Sequence, residues 1–262
     1  MNNALINKIC TILNIEYKNH KHFTDGVSSK VFVLNDLYLV KQSTKEALRA
    51  EVMYLKDNIS PLMQEIVYID EEFDFVIYKF IKGEVMYRVD DPKDVIEKII
   101  PIIAQYKPTI LNGYGYMDEL VNSWEEFLRF EIRDNDILRY YVDDNKVNQA
   151  ISNLNKYPFT KCLIHGDFGT HNFIKNDGLL VGVIDPMTVL GDPLYDLLFA
   201  IVSNTDILKT LTLEDIYKLS EEDNDKIKNL LIVVLYARMI RCLKYHREDI
   251  DFYLDFYKQI SL

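Results

Sequence analysis

The chain has 262 residues, 48% of them hydrophobic, with 30 Lys and Arg against 41 Asp and Glu for a formal net charge of −11; that is enough chain for a sizeable core and excludes a disulfide-stapled miniprotein or global disorder. The longest apolar run, Leu230 to Ala237, falls far short of the roughly 20 residues of a membrane span, so no membrane partner is expected. An acidic balance without a Lys/Arg block also excludes a nucleic-acid partner, because neutralised phosphates supply that affinity, and favours cationic small molecules.

In chain order, MNNALINKICTILNI reads as an amphipathic opening helix rather than a signal peptide. From about Tyr17 to Ile81 the pattern is mostly β. Lys30 to Leu34 and Leu37 to Lys41 are β-branched and aromatic runs joined at Asn35-Asp36, a hairpin signal. Thr44 is a candidate N-cap for a helix to about Asn58, with Ala47, Leu48, Val52 and Leu55 at helical spacing. Glu65 to Asp70 and Phe73 to Phe80 form a second hairpin around Asp70-Glu71-Glu72. After Ile81-Lys82-Gly83 the periodicity changes. Helices are expected from Pro92 to about Tyr106, from Trp124 to Tyr140 and from Asn145 to Lys156. Strands return between Lys161 and Ile184, and from Pro193 onward the reading is helical, with Lys226 to Arg247 the longest segment. The boundary is placed near Gly83, dividing residues 1–82 from residues 83–262. Cys10, Cys162 and Cys242 lie far apart with no CxxC pair, which points away from disulfides and zinc and toward a reduced, cytoplasmic setting.

The densest chemistry is His165-Gly166-Asp167-Phe168-Gly169-Thr170-His171-Asn172, followed 13 residues later by Asp185. A strand leads in, a short strand follows Asn172, and Asp185 falls at the end of the next. Such a unit converges two Asp and one Asn at one mouth. Hard oxygens held this way suit Mg²⁺, which keeps phosphate oxygens and water in its shell, and they leave Asp167 free to accept a proton. A two-metal phosphohydrolase built on His165, Asp167, His171, Asn172 and Asp185 is the competing reading, but it needs further His motifs downstream, where only His246 occurs.

HGDFGTHNFI followed by VIDPMTVLGDPLYDLL resembles the aminoglycoside phosphotransferase and choline kinase family, most closely its hygromycin phosphotransferase branch. Asp167 and Asn172 have the spacing of the catalytic Asp and Asn in the kinase loop HRDxxxxN, and Asp185 matches the metal-binding Asp. The resemblance implies an α+β, bilobal protein-kinase-like fold, with a small antiparallel-sheet N-terminal lobe carrying one helix and a larger, mainly helical C-terminal lobe. It implies that Asp167 orients and deprotonates the acceptor hydroxyl, and that Asn172 and Asp185 hold Mg²⁺ on the phosphates of ATP or GTP. Lys41, ending LYLVK, takes the place of the phosphate-contacting lysine. Its acidic partner is Glu51, which fits the family pattern better, or Glu46. Ser28 and Ser29, in Asp25-Gly26-Val27-Ser28-Ser29, stand where kinases carry their glycine-rich loop, and the backbones of Lys79 and Ile81 stand at the purine hinge beside bulky Tyr78. His165 and Asp196 are expected to brace the loop, His171 to lie exposed, Asp192 to cap a helix and Trp124 to pack in the core.

For the acceptor, the stretch from Asp118 to Lys146 holds nine acidic and four basic residues. Glu125, Glu126, Glu131, Asp134 and Asp136 are candidates for a cationic acceptor, although a solvated helix face accounts for such a run equally well. The expected function is therefore a small-molecule kinase, with an aminoglycoside-type antibiotic as acceptor and antibiotic resistance as its consequence. The alternatives are a kinase of another metabolite (choline, a sugar or a macrolide) and a non-catalytic nucleotide-binding regulatory protein on the same fold.

Overall fold

The computed structural model describes residues 3–23, 29–245 and 247–261. The chain opens with α1 (Asn3–Leu13), which buries Ile6 and Ile9. An antiparallel meander follows in β1 (His20–Phe23), β2 (Lys30–Leu34) and β3 (Tyr38–Gln42). Asn35 and Asp36 both have φ +55 in a turn closed by Leu37 N–H on Leu34 O at 3.1 Å, the left-handed pair that a type I′ turn requires and that Asn and Asp tolerate. Helix α2 (Lys45–Asp57) starts where the Thr44 side chain accepts from Ala47 N–H. Strands β4 (Ile66–Ile69) and β5 (Val76–Lys79) complete a five-stranded antiparallel sheet in the order β1-β2-β3-β5-β4.

The period of two along β5 decides which side each residue serves. Phe75 and Ile77 join Ile6, Ile9, Phe32 and Val40 in a cluster beneath α1. Val76 and Tyr78 point the other way, into the main core with Leu48, Val52, Tyr54 and Leu55 of α2. That core runs on without a break into the rest of the chain.

Beyond the sheet come β6 (Glu84–Val85), α3 (Pro92–Ile103), β7 (Gly115–Tyr116), α4 (Trp124–Glu131), α5 (Asp144–Leu154), β8 (Cys162–Ile164), β9 (Phe173–Asn176), β10 (Leu179–Val183) and β11 (Val189–Gly191). Helices α6 (Pro193–Val202), α7 (Thr205–Leu208), α8 (Leu213–Tyr217), α9 (Asn224–Tyr245) and α10 (Ile250–Ile260) end it. Two three-stranded antiparallel sheets, β10-β9-β6 and β7-β11-β8, frame the polar loop. Gly83 has φ +153, and a Cβ there would meet Lys175 O at 2.4 Å, so only glycine lets the crossing strand lie against β9. No helix among the described residues is long and apolar enough to cross a membrane.

One expected helix is corrected. The segment from Trp124 does not run to Tyr140; α4 stops at Glu131, and only a single 3₁₀ turn, Leu138–Tyr140, follows. Asn135 lies in the break, its amide donating to Asp144 Oδ2 at 3.0 Å and to Tyr236 Oη at 3.3 Å. Strands β6, β7 and β11 have two or three residues each and left no periodic trace in the sequence.

Candidate active site

Strand β8 is buried throughout and delivers the chain to His165. Gly166 then turns it sharply: φ is +80, and a Cβ would lie 2.6 Å from Val189 Cγ2. The turn is held from below by Asp196 in the first turn of α6. Its fully buried carboxylate accepts from His165 N–H (2.7 Å), Gly166 N–H (3.0 Å) and Tyr106 Oη–H (2.8 Å). Burial pushes the Asp196 carboxyl up to about 7, against the pull of those three donors. Asp192 opens α6 as its cap, accepting from Leu194 N–H at 3.0 Å, and pairs with the buried Lys226 at 3.0 Å.

His165 is a brace, as expected. Its Nε2 bonds Ile184 O at 3.0 Å while Nδ1 accepts from Asp167 N–H at 3.3 Å, which assigns the proton to Nε2. Burial lowers its pKa to about 4, so the ring is neutral.

Asp167 Oδ2 accepts from His171 Nε2 and from Asn172 Nδ2, each at 2.9 Å. Burial alone would raise the Asp167 pKa; the hydrogen bond and then the charge of His171, the largest opposing causes, help bring it to about 2. A carboxylate ionised at neutral pH, with one oxygen held and the other without a partner among the described residues, is equipped to take a hydroxyl proton. His171 was expected only to lie exposed. Its side chain is 41% exposed, but the ring packs on Gly169 and bonds Asp167; the four-residue spacing from Asp167 was the sequence signal that could have found it.

Across the cleft, Lys41 Nζ bonds Glu51 Oε2 at 2.6 Å and also reaches Asp185 Oδ1. Glu46 is exposed, and Glu51 is the partner. Burial would lower the Lys41 pKa, but Glu51 and Asp185 more than offset it and hold the ammonium above the ordinary lysine range. Asp185 lies two residues beyond β10 at φ +59, a left-handed conformation that Asp tolerates. Lys41, Thr44, Glu51, Asp118, Asp167 and Asp185 line a cavity of about 330 Å³.

The donor set fits Mg²⁺. Asn172 Nδ2 is spent on Asp167 O and Oδ2, which leaves Asn172 Oδ1 without a partner among the described residues, and the Asp185 side chain is 57% exposed. Two hard oxygens suit a cation that takes the rest of its shell from phosphate and water. Among the described residues no group of three or more His, Cys, Asp or Glu is arranged to hold a metal by itself.

The remaining predicted residues are placed as follows. Ser28 lies outside the described residues, and Ser29 is half-buried. Lys79 N–H is committed to Glu65 O at 2.9 Å. Ile81 N–H has no partner among the described residues, and its side chain covers Gly182. Burial and then the Glu51 charge raise the Tyr78 pKa well above its usual value, keeping the hydroxyl protonated. Trp124 is buried against Phe127 and Gly191.

The acidic run is largely occupied. Glu125 pairs with Arg129, Asp134 with Lys244 and Asp136 with Arg139. Glu126 accepts from Asn122 N–H, and Glu131 holds Arg241 at 2.6 Å. Arg241 is the residue of this region that the sequence reading missed.

No curated protein matches the sequence. Among solved structures, the chain is similar to aminoglycoside phosphotransferase APH(2'')-Ib with ADP bound, at 19% identity, TM-score 0.64 and coverage of 100% of this chain and 97% of that one. It is similar to a thermostable mutant of aminoglycoside phosphotransferase APH(4)-Ia in ternary complex with AMP-PNP and hygromycin B, at 15% identity, TM-score 0.63 and 97% coverage of each chain. The GDP complex of wild-type aminoglycoside 2'-phosphotransferase-IIIa aligns at 13% identity and TM-score 0.60, covering 100% of this chain and 99% of that one. These likenesses establish the kinase-like α+β fold. The model of the phosphotransferase enzyme family matches residues 67–218, more than half of the chain and the whole of the loop that carries Asp167, Asn172 and Asp185, and so the chain belongs to the phosphotransferase enzyme family.

Proposed function

We propose that the protein transfers the γ-phosphate of ATP or GTP to a hydroxyl of a small acceptor, with an aminoglycoside-type antibiotic as the leading candidate. The observation that carries this reading is the position of Asp167, one oxygen gripped by His171 and Asn172, on the same cavity as the Lys41–Glu51 pair and Asp185. In this reading residues 1–82 form the nucleotide-binding lobe and residues 83–262 the catalytic and acceptor-binding lobe, working on the cytoplasmic nucleotide pool.

Asp167 takes the proton of the acceptor hydroxyl as its oxygen bonds to the γ-phosphorus, the bond from that phosphorus to the bridging oxygen breaks, and the nucleoside diphosphate leaves. Lys41 gives up Asp185 and turns its ammonium to the phosphates, while Glu51 keeps it in place. Asn172 Oδ1 and Asp185 would hold Mg²⁺, which supplies charge neutralisation on the phosphates. Ile81 N–H, without a partner among the described residues, would receive the purine, with the Lys79 carbonyl beside it. Ser28 and Ser29 would cover the phosphates. The solved neighbours were captured with GDP, ADP or AMP-PNP, which supports a purine nucleotide of either kind. The aminoglycoside candidate draws on neighbours holding kanamycin or hygromycin B and on exposed Asp118 at the cavity.

A coupled nucleotide-consumption screen with ATP and GTP against aminoglycosides, macrolides, choline and sugars tests the reading. Consumption above the acceptor-free rate with at least one acceptor is expected. Tight nucleotide binding with no turnover across the panel would overturn it.

A further inference from the structure

Phe199 of α6 is shared by two side chains of the wall beyond Asp167. The His171 ring lies 6.5 Å from its centroid and the Arg241 guanidinium carbon 5.5 Å. Arg241 projects from α9 and donates through Nη2 to Glu131 Oε2 at 2.6 Å. Glu131 is fully committed: its side chain is 4% exposed, and it also accepts from Tyr116 Oη–H at 2.9 Å and Tyr195 Oη–H at 3.1 Å. A carboxylate so saturated does not receive an ammonium from an acceptor; it fixes the guanidinium. Arg241 carries five N–H donors in a rigid fork. Beyond Glu131 they have no partner among the described residues, although the side chain is 33% exposed. Through Glu131, Arg241 is tied to Tyr116, whose chain neighbours Met117 and Asp118 line the cavity that holds Asp167. What Arg241 leaves open on this wall is therefore a set of donors.

We propose that Arg241 is a specificity-determining residue that donates to an oxygen of the acceptor next to the hydroxyl being phosphorylated. Acceptors with a hydroxyl, carboxylate or phosphate at that place are selected, and those with an ammonium there are rejected, because an ammonium offers only donors and repels the guanidinium. Within an aminoglycoside this selects a ring whose reacting hydroxyl has an oxygen neighbour. The inference rests on the phosphotransfer reading above.

The test is a set of matched acceptors assayed for kcat and KM: glucose against glucosamine, gluconate and glucose 6-phosphate, and kanamycin A against kanamycin B, which differ by hydroxyl and amine at one carbon. The wild type is expected to favour the oxygen member by about tenfold or more in kcat/KM. Arg241→Lys keeps a cation for Glu131 but loses the fork. It should raise acceptor KM about tenfold and erase the preference, with nucleotide KM within about twofold. If that variant does not fold, Arg241→Gln combined with Glu131→Gln removes the pair together and should show the same loss. Equal or better turnover of the amine member by the wild type, or an unchanged ratio in the folded variant, overturns the role of Arg241 alone. Absence of turnover with every acceptor overturns the phosphotransfer reading and this inference with it.

Discussion

His171 Nε2 and Asp167 Oδ2 stand 2.9 Å apart, and this contact fixes which oxygen of Asp167 is left to meet a substrate. Asn172 closes the same oxygen from the other side at 2.9 Å. His171→Ala should lower kcat by about three- to tenfold through loss of one neutral or charge-assisted hydrogen bond, with nucleotide KM unchanged. His171→Asn should restore part of the loss. Steady-state kinetics check this, and equal kcat in wild type and His171→Ala would remove His171 from the machinery.

Asp167→Asn keeps the shape of the side chain and removes the proposed proton acceptor. Phosphate transfer should fall by about 10²- to 10⁴-fold while nucleotide affinity stays within about twofold. Titration calorimetry beside the kinetics separates the two quantities, and retained turnover refutes the base assignment.

Asp185→Ala removes a partner of Lys41 and, in the proposed mechanism, a carboxylate oxygen that would hold Mg²⁺. Mg²⁺-nucleotide affinity should drop by about tenfold or more. Chelation with EDTA should weaken nucleotide binding by the wild type and have little further effect on the variant; wild-type affinity in the variant would exclude the metal role.

Asp196→Ala leaves His165 N–H, Gly166 N–H and Tyr106 Oη–H without their acceptor inside the core. Unsatisfied buried donors cost about 1–3 kcal/mol each where water cannot enter, so a loss of roughly 3 kcal/mol or more is expected. Urea unfolding measures it, and a variant as stable as the wild type would show that the brace carries no weight.

His165 makes stability sensitive to acid. Its folded pKa, about 4, lies below the ordinary 6.5. Between these values the unfolded chain binds the extra proton, so its contribution is complete above about pH 6.5 and disappears as pH falls toward 4, by up to about 3 kcal/mol. Asp196, raised to about 7, works the other way, taking up a proton in the folded state as pH falls and losing its contribution as pH rises toward 7. Melting temperatures from pH 4 to 7 for wild type and His165→Gln isolate the histidine: the variant's profile should be flatter on the acid side, and parallel profiles contradict the assignment.

Much of this architecture is written locally. Asn35-Asp36 specifies the first hairpin because few residues accept two successive left-handed conformations, and Thr44 marks the start of α2 because its hydroxyl serves an orphan N–H. The spacing of Asp167, Asn172 and Asp185 is legible because the loop and the two strands that present them are contiguous in the chain. What failed was equally physical. The helix after Trp124 ends at Glu131, and Asn135 in the break bonds Asp144, close in the chain, and Tyr236, far along it, contacts that no periodicity announces.

The sequence by itself determined the strand, loop and strand unit and the residue types at its mouth, since backbone propensity and short turns act over a few neighbours. Only the tertiary structure decided that Glu51 and not Glu46 meets Lys41, that His171 grips Asp167, and that Glu131 is used up on Arg241. Those outcomes depend on which faces of α2, α6 and α9 the hydrophobic core turns inward, and the core is a property of the whole chain.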